Sequence, residues 1–235
     1  MPPLPVSIAR RLVAPLFLSL SLAACAATTG DPRPAAYAPI DPADAGRYGA
    51  VADEPFEVAA VPKETLSPRN LRQLIDDPTG QPPGTIVVDP ASRFLYLVQE
   101  DGKALRYGVG VGRDGMEWSG TADVALKREW PRWTPTQDMI ARDPERYAPW
   151  AAGMDGGSTN PLGARALYLF QGGRDTLYRI HGTNDPASIG QAMSSGCIRM
   201  MNQDIIDLYG RVTKGAKVVV LPAPGSLTVA ADAGA

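Results

Sequence analysis

The sequence predicts a mainly β fold, a sandwich or partly closed barrel over one core, with a few short helices. Three observations carry that expectation. Short β-like runs recur from Thr85 onward, and a strong hairpin signal, Asp101-Gly102, joins two of them. Glycine and proline, 24 and 23 of 235 residues, are too frequent for a helical bundle and suit a turn-dense protein. Only two or three stretches carry a helical pattern. A chain of this length can bury one substantial core, or at most two small ones.

In chain order, residues 1–24 read as an export signal. Arg10 and Arg11 form its positive end, and Leu12–Ala24 its apolar run. That run is too short to span a bilayer comfortably, which takes about 20 apolar residues. It ends in "LAAC", Leu22 to Cys25, which resembles the lipobox of bacterial lipoproteins and implies acylation of Cys25. Ordinary secretory cleavage within "AACAA" is the alternative. Residues 25–66 are rich in Ala, Pro, Asp and Gly without apolar periodicity, so a flexible tether is expected. Residues 67–84 are expected to form a helical arm. Within it, Ser67 is positioned to cap a helix, Pro68 suits its first turn and Pro78 stops it.

The main domain, 85–222, opens with "TIVVD" (85–89) and "RFLYLVQ" (93–99), which the "EDGK" turn links to "ALRYGVGVG" (104–112). Further strands are expected at 121–130, 164–170, 176–182 and 216–221. A short helix is expected over 134–147. An amphipathic helix over 201–215 would bury Ile205, Ile206, Leu208, Tyr209 and Val212, with Asn202 as N-cap and Gly215 as its stop. Residues 223–235 read as a disordered tail.

Composition narrows function. A net charge of −2 and the lack of a basic stripe speak against nucleic acid as a partner. "GVGVGRDG" (108–115) lacks the helix that a dinucleotide-binding turn must open, because the pyrophosphate sits on the helix N-terminus. One histidine and no HxxxH or CxxC spacing make a zinc site untenable, and no cofactor is implied. If Cys25 is acylated, Cys197 is the only other thiol, in a compartment that favours oxidation. A thiol nucleophile needs a base or a positive environment, because little thiolate exists near neutral pH. The sole imidazole is His181, at a strand end and followed by Gly182. Gly196, before the cysteine, lets backbone N–H groups aim at a developing oxyanion. From the residues alone, catalysis and simple packing remain equally open for the pair.

The stretch "HGTNDPASIGQAMSSGCIRM", His181 to Met200, resembles the signature of L,D-transpeptidases with the YkuD-type catalytic domain. The likeness extends through "NPLGARALYLF", "WTPT" and "TIVVD…FLYLV…YGVGVG", roughly Thr85 to Leu221. It implies the β fold of that domain and a thiol acyltransferase acting on peptidoglycan stem peptides. By resemblance, Cys197 attacks the carbonyl of the third stem residue, the terminal D-alanine leaves, and a thioester remains. His181 matches the base, Gly182 is the candidate carbonyl that orients it, and Gly196 and Cys197 supply the oxyanion hole. Arg199 matches a substrate-holding position, with a structural salt bridge as the alternative. Ser194, Ser195 and Thr183 are further candidates for substrate contact. Many relatives carry His where Ser195 stands, so no second imidazole can act here. Resolution by a second stem peptide would give a 3→3 cross-link. An envelope protein's amine would give protein attachment, and water would make a carboxypeptidase or hydrolase. The resemblance also implies inhibition by carbapenem-class β-lactams, and a place on the periplasmic side of the envelope, held to the membrane only through Cys25. A non-catalytic peptidoglycan-binding lipoprotein is the rival from another class; a papain-like protease fits the cysteine's surroundings poorly. Trp118, Trp130, Trp133, Tyr168 and Tyr178 are expected mostly in the core, and "WPRWTPT" is a candidate lid.

Overall fold

Successive residues of a strand point to opposite faces of its sheet, and that alternation sorts the apolar side chains here. In β2 (Ile86–Asp89) and β3 (Phe94–Val98), Ile86, Val88, Leu95 and Leu97 enter the main core. Val87, Phe94, Tyr96 and Val98 enter a smaller cluster on the other face. The computed structural model describes residues 42–112, 118–194 and 196–222. The export signal, Cys25, Ser195 and the 223–235 tail lie outside the described residues.

The remaining strands are β1 (Gln73–Asp76), β4 (Lys103–Gly108), β5 (Val111–Gly112), β6 (Gly120–Glu129), β7 (Arg165–Gln171), β8 (Arg174–His181), β9 (Ala192–Ser194), β10 (Ile198–Arg199) and β11 (Lys217–Val220). Of the eleven strands among the described residues, nine form one mixed sheet in the order β1-β4-β3-β2-β11-β6-β7-β8-β10, and β5 pairs with β9 alone. The expected mainly β architecture is present, as one large open sheet whose end strands are β1 and β10. Helix α4 (Asn202–Arg211) lays Ile205 and Leu208 into the main core beside Leu167, Leu169 and Ile180. The ammonium of Lys127 binds the carbonyls of Tyr209 and Val212 at 2.6 and 2.5 Å. A cation there meets the negative end of the helix, which ends at Arg211, short of the expected Gly215, with Val212 extended.

Three expectations are corrected. The helix expected from Ser67 is one short 3-10 turn, Pro68–Asn70, followed by strand β1. β1 pairs antiparallel with β4, from Gln73 opposite Arg106 to Asp76 opposite Lys103. An exposed strand edge leaves a row of unpaired backbone groups, and satisfying that row outweighs a weak local helix preference. The single helix expected over 134–147 is two, α2 (Gln137–Arg142) and α3 (Pro144–Tyr147), divided at Pro144. The tether expected over 25–66 is ordered from helix α1 (Pro42–Gly46) onward. Tyr48, Val61 and Leu66 form a buried cluster with Leu71, Ile189 and Met201. Gln203 on α4 donates to the carbonyls of Gly49 and Ala59, both at 3.0 Å. Glu54 makes a two-armed ion pair with Arg165 at 2.8 and 2.6 Å and accepts from the Trp130 indole. No helix of the described residues is long and apolar enough to cross a membrane.

Candidate active site

β8 and β10 are parallel neighbours, with Ile198 opposite Ile180 and Arg199 opposite His181. Ile180 and Ile198 both lie in the main core. By alternation, Cys197 and Arg199 project from the opposite face of β10, on the side shared by Arg179 and His181 of β8. One sheet face therefore carries a thiol, an imidazole and two guanidiniums, and its other face anchors them in the core. β10 is held on both sides. Met200 donates to the His181 carbonyl at 2.8 Å, and Arg199 exchanges backbone hydrogen bonds with Gly110 at 2.7 and 2.9 Å.

His181 is buried, and its Nδ1 lies 2.5 Å from the carbonyl oxygen of Gly182. That contact makes Nδ1 the protonated nitrogen and leaves Nε2 with its lone pair. Burial holds the imidazole pKa down at about 4, and the charges of Arg199 and Arg179 push the same way. Carbonyl contacts from Gly182 and Leu162 oppose them. The ring is therefore neutral through the physiological range. Burial pushes the half-buried Cys197 thiol up, while Arg179 opposes this through its charge and its backbone N–H, and Arg199 through its charge. At rest the thiol and the imidazole are both neutral, and the charges of Arg179 and Arg199 favour a thiolate as it forms.

Backbone shape follows from specific glycines. Gly196 has φ +110°, a left-handed conformation that side chains with a Cβ rarely adopt, so the turn into Cys197 requires glycine. A Cβ on Gly182 would sit 2.2 Å from Oδ1 of Asn202 and 3.1 Å from Ile205. Asn202 was the expected N-cap of α4, but Met201 occupies the cap position. The Asn202 amide oxygen instead accepts from the Ala164 N–H at 2.9 Å, tying α4 to the start of β7 beneath Gly182.

Asn160 is fully buried and gathers the long excursion between β6 and β7. Its Nδ2 donates to the carbonyls of Pro131, Met154 and Asp155, and its Oδ1 accepts from Leu162. It thereby sets the residue whose carbonyl faces His181.

Of the other expected contacts, Thr183 is buried and its hydroxyl accepts from Asp185 N–H at 3.0 Å, so it shapes the turn after His181. Ser194 ends β9, on the strand leading to Gly196. Among the described residues Arg199 makes no ion pair, and its charge acts on both the thiol and the imidazole. The five aromatics expected mostly in the core are all half-buried. Trp118 stacks on Tyr178 with ring centroids 5.0 Å apart, and Tyr178 is the side chain nearest the Gly196 turn.

Two contributors escaped sequence reading. Arg179 stands two residues before His181, so strand periodicity alone would put them on one face. The structure adds its ion pair with Asp175 at 2.7 Å and its stacking on Tyr168 at 4.3 Å. Leu162 had no signal, because its carbonyl acts rather than its side chain. Among the described residues no three His, Cys, Asp or Glu side chains cluster in a way that could hold a metal ion.

Comparison with known proteins places this geometry among relatives. The family model described as YkuD, L,D-transpeptidase catalytic domain, matches residues 83–220. The probable L,D-transpeptidase ErfK/SrfK of Escherichia coli (strain K12) is 36% identical over 152 residues, 63% of this chain and 47% of that protein. The probable L,D-transpeptidase YbiS of the same strain is 32% identical over 167 residues, 69% of this chain and 52% of that protein. The chain thus spans about half the length of these curated relatives. A crystal structure of a probable carnitine operon oxidoreductase, caia, from Brucella melitensis is 55% identical, covering 68% of this chain and 98% of that one. Its TM-score of 0.47 is too low for the superposition to assign any role here.

Proposed function

The chain belongs to the YkuD family of L,D-transpeptidase catalytic domains, and on that premise we propose that it is an exported peptidoglycan transpeptidase with Cys197 as its acyl carrier. The observation that carries the reading is the parallel pairing of β8 and β10. It sets Cys197, His181 and Arg199 on one face, with the core behind them.

The step follows from the protonation states. Nε2 of His181 takes the thiol proton as Sγ forms its bond to the carbonyl carbon of the third stem residue. The oxyanion is met by the N–H groups of Gly196 and Cys197, in the logic of serine hydrolases. The C–N bond to the terminal D-alanine breaks, its amine takes the proton from the imidazolium, and a thioester remains on Cys197. An acceptor amine then attacks the thioester, gives its proton to His181, and the sulfur leaves and recovers that proton. The Gly182 carbonyl keeps the ring oriented through the cycle, and the low imidazole pKa speeds return of the proton to the leaving amine. Arg199 holds a substrate carboxylate beside the thiol. The acceptor is a second stem peptide, giving a 3→3 cross-link, with a protein amine or water as alternatives decided by loops beyond the nucleophile. Export and anchoring through Cys25 complete the reading.

The test is digestion of purified tetrapeptide muropeptides, with products identified by mass spectrometry. Loss of D-alanine with formation of cross-linked dimers is expected, and Cys197→Ala should abolish both. A folded wild-type protein that neither turns over muropeptides nor gains the mass of a carbapenem adduct would overturn the proposal.

A further inference from the structure

Outside the reaction centre, a pocket of about 660 Å³ opens where the N-terminal arm meets the linker between His181 and Cys197. Its walls include Arg69 and Asn70 of the arm, Arg93 of the β2–β3 turn, and Gly190 and Gln191 of the linker. Neither Cys197 nor His181 lines it. Asn70 builds the floor, pressed between two glycines: a Cβ on Gly108 would lie 2.7 Å from the Asn70 side chain, and one on Gly190 2.7 Å from its Nδ2. Nδ2 donates to the Ile189 carbonyl at 3.3 Å.

Two arginines, Arg69 and Arg93, and one carboxylate, Glu64, line this pocket. Arg69 and Arg106 cover the Phe94 ring, each with its guanidinium carbon 4.3 Å from the ring centroid, and Arg93 is the next residue. Among the described residues, no carboxylate forms an ion pair with Arg69 or Arg93. Arg69 donates to the Ser92 carbonyl at 2.8 Å, which fixes its position without neutralising it. Arg93 is held at φ +58°, a strained backbone for a side-chain-bearing residue. Its Nε and the Oδ1 of Asn70 are buried without a hydrogen-bond partner. Arg69 and Arg93, which make no ion pair among the described residues, beside an unmet donor and an unmet acceptor, describe a site for an anion that also carries an N–H.

We infer that this pocket binds the C-terminal carboxylate of a peptide. Arg69 and Arg93 take the carboxylate as a planar fork, and the adjoining peptide N–H is directed to Asn70. Glu64 on the rim disfavours a dianion such as phosphate, and the hydroxyls of Thr65 and Ser67 supply further polar contacts. The inference stands apart from the thioester reading, since binding here needs no acyl transfer. An occupant would touch the linker that carries β9, whose neighbour Gln191 accepts from the Val111 N–H at 3.1 Å.

The test is a titration of the isotope-labelled full chain, followed by two-dimensional amide NMR. N-acetyl-alanine should give saturable shifts at Asn70, Arg93, Gly190 and Gln191. N-acetyl-alanine amide, which lacks the carboxylate, should give none. Arg93→Gly suits the left-handed backbone and should fold. It should weaken binding by about tenfold or more, the worth of a lost charge-assisted hydrogen bond, and Arg69→Gln should do the same. Four outcomes would overturn the proposal: equal binding of the amide, binding of inorganic phosphate or free alanine in preference to the acetylated form, shifts centred on His181 and Cys197, or no saturable shift in the wild type. Because the readout is binding, an inactive enzyme that still shows the expected shifts would sink the transpeptidase reading and leave this one standing.

Discussion

The active corner and the N-terminal clasp treat buried polar groups in opposite ways. At the clasp Arg165 and Arg72, both largely buried, meet carboxylates. Glu54 grips Arg165 with both oxygens, and Arg72 meets Asp207, which also receives Tyr107 and Arg211. Tyr48 donates to Asp204 at 3.2 Å while accepting from the Arg72 N–H at 2.7 Å. At the corner His181 is buried neutral, Cys197 is a raised thiol, and Arg199 has no carboxylate among the described residues. Paired charges hold a segment in place, whereas unpaired ones keep their reactivity for a substrate.

The largest effect separating the two regions is chemical. Cys197→Ala should lower acylation by about a thousand-fold or more, because the covalent route is lost, with little change in melting temperature. Intact-protein mass after exposure to a carbapenem reads the first quantity and calorimetry the second. A comparable loss of stability would mean that the thiol belongs to the scaffold. In the clasp the pattern should invert. Glu54→Ala leaves the buried Arg165 with only the more exposed Glu129, 3.8 Å away, and should cost about 3 kcal/mol in denaturant unfolding. Its acylation rate per folded molecule should stay near wild type, and a matching collapse in rate would show that the clasp shapes the site.

Gly182→Ala tests the place where the regions touch, since its Cβ would strike the Asn202 oxygen that ties α4 to β7. A loss of about 2 kcal/mol is expected, with slowed acylation because the His181 orienting carbonyl moves. Normal stability and rate would show that the contact relaxes freely.

The smallest effect is the most discriminating, because the two regions should respond to pH with opposite signs. Burial holds His181 at about 4, below its ordinary value, so unfolding takes up a proton and the stability it contributes is lost as pH falls through that value. Burial raises Asp204 to about 7, above its ordinary carboxylate value, so the folded form keeps a proton that the unfolded chain releases. Stability from that source is lost as pH rises toward 7. Between about pH 4 and pH 7 the two slopes oppose each other. Asp204→Asn should therefore make stability rise with pH, and His181→Gln should make it fall, each by on the order of 1 kcal/mol across the window. Parallel slopes in the two variants would refute the assignment.

The sequence made some regions legible and hid others for physical reasons. Strands β2, β3, β4, β6, β7, β8 and β11 could be read because a two-residue alternation or an apolar run between turns is a local property. The His181–Cys197 pair could be proposed because the chain has one histidine and because the stretch from His181 to Met200 resembles the family's motif. The ordered clasp could not, because Tyr48, Val61 and Leu66 are scattered among Ala, Pro and Gly. Their burial depends on Met201 and Ile189, which lie more than a hundred residues away. β1 was misread because Ser67, Pro68 and Pro78 look like helix start and stop signals until the open edge of β4 is known.

By itself, then, the sequence determined a β-rich fold and the order of its principal strands, since each is written in spacing along the chain, and it offered Cys197 and His181 as candidates through a family resemblance. Tertiary structure alone decided that Arg179 stands beside the thiol and that Asn202 braces Gly182 instead of capping its helix. It also decided that the N-terminal segment folds back as a clasp. Those outcomes rest on pairing between distant backbone edges and on how far burial raises the cost of charge, and neither quantity exists until the strands have met.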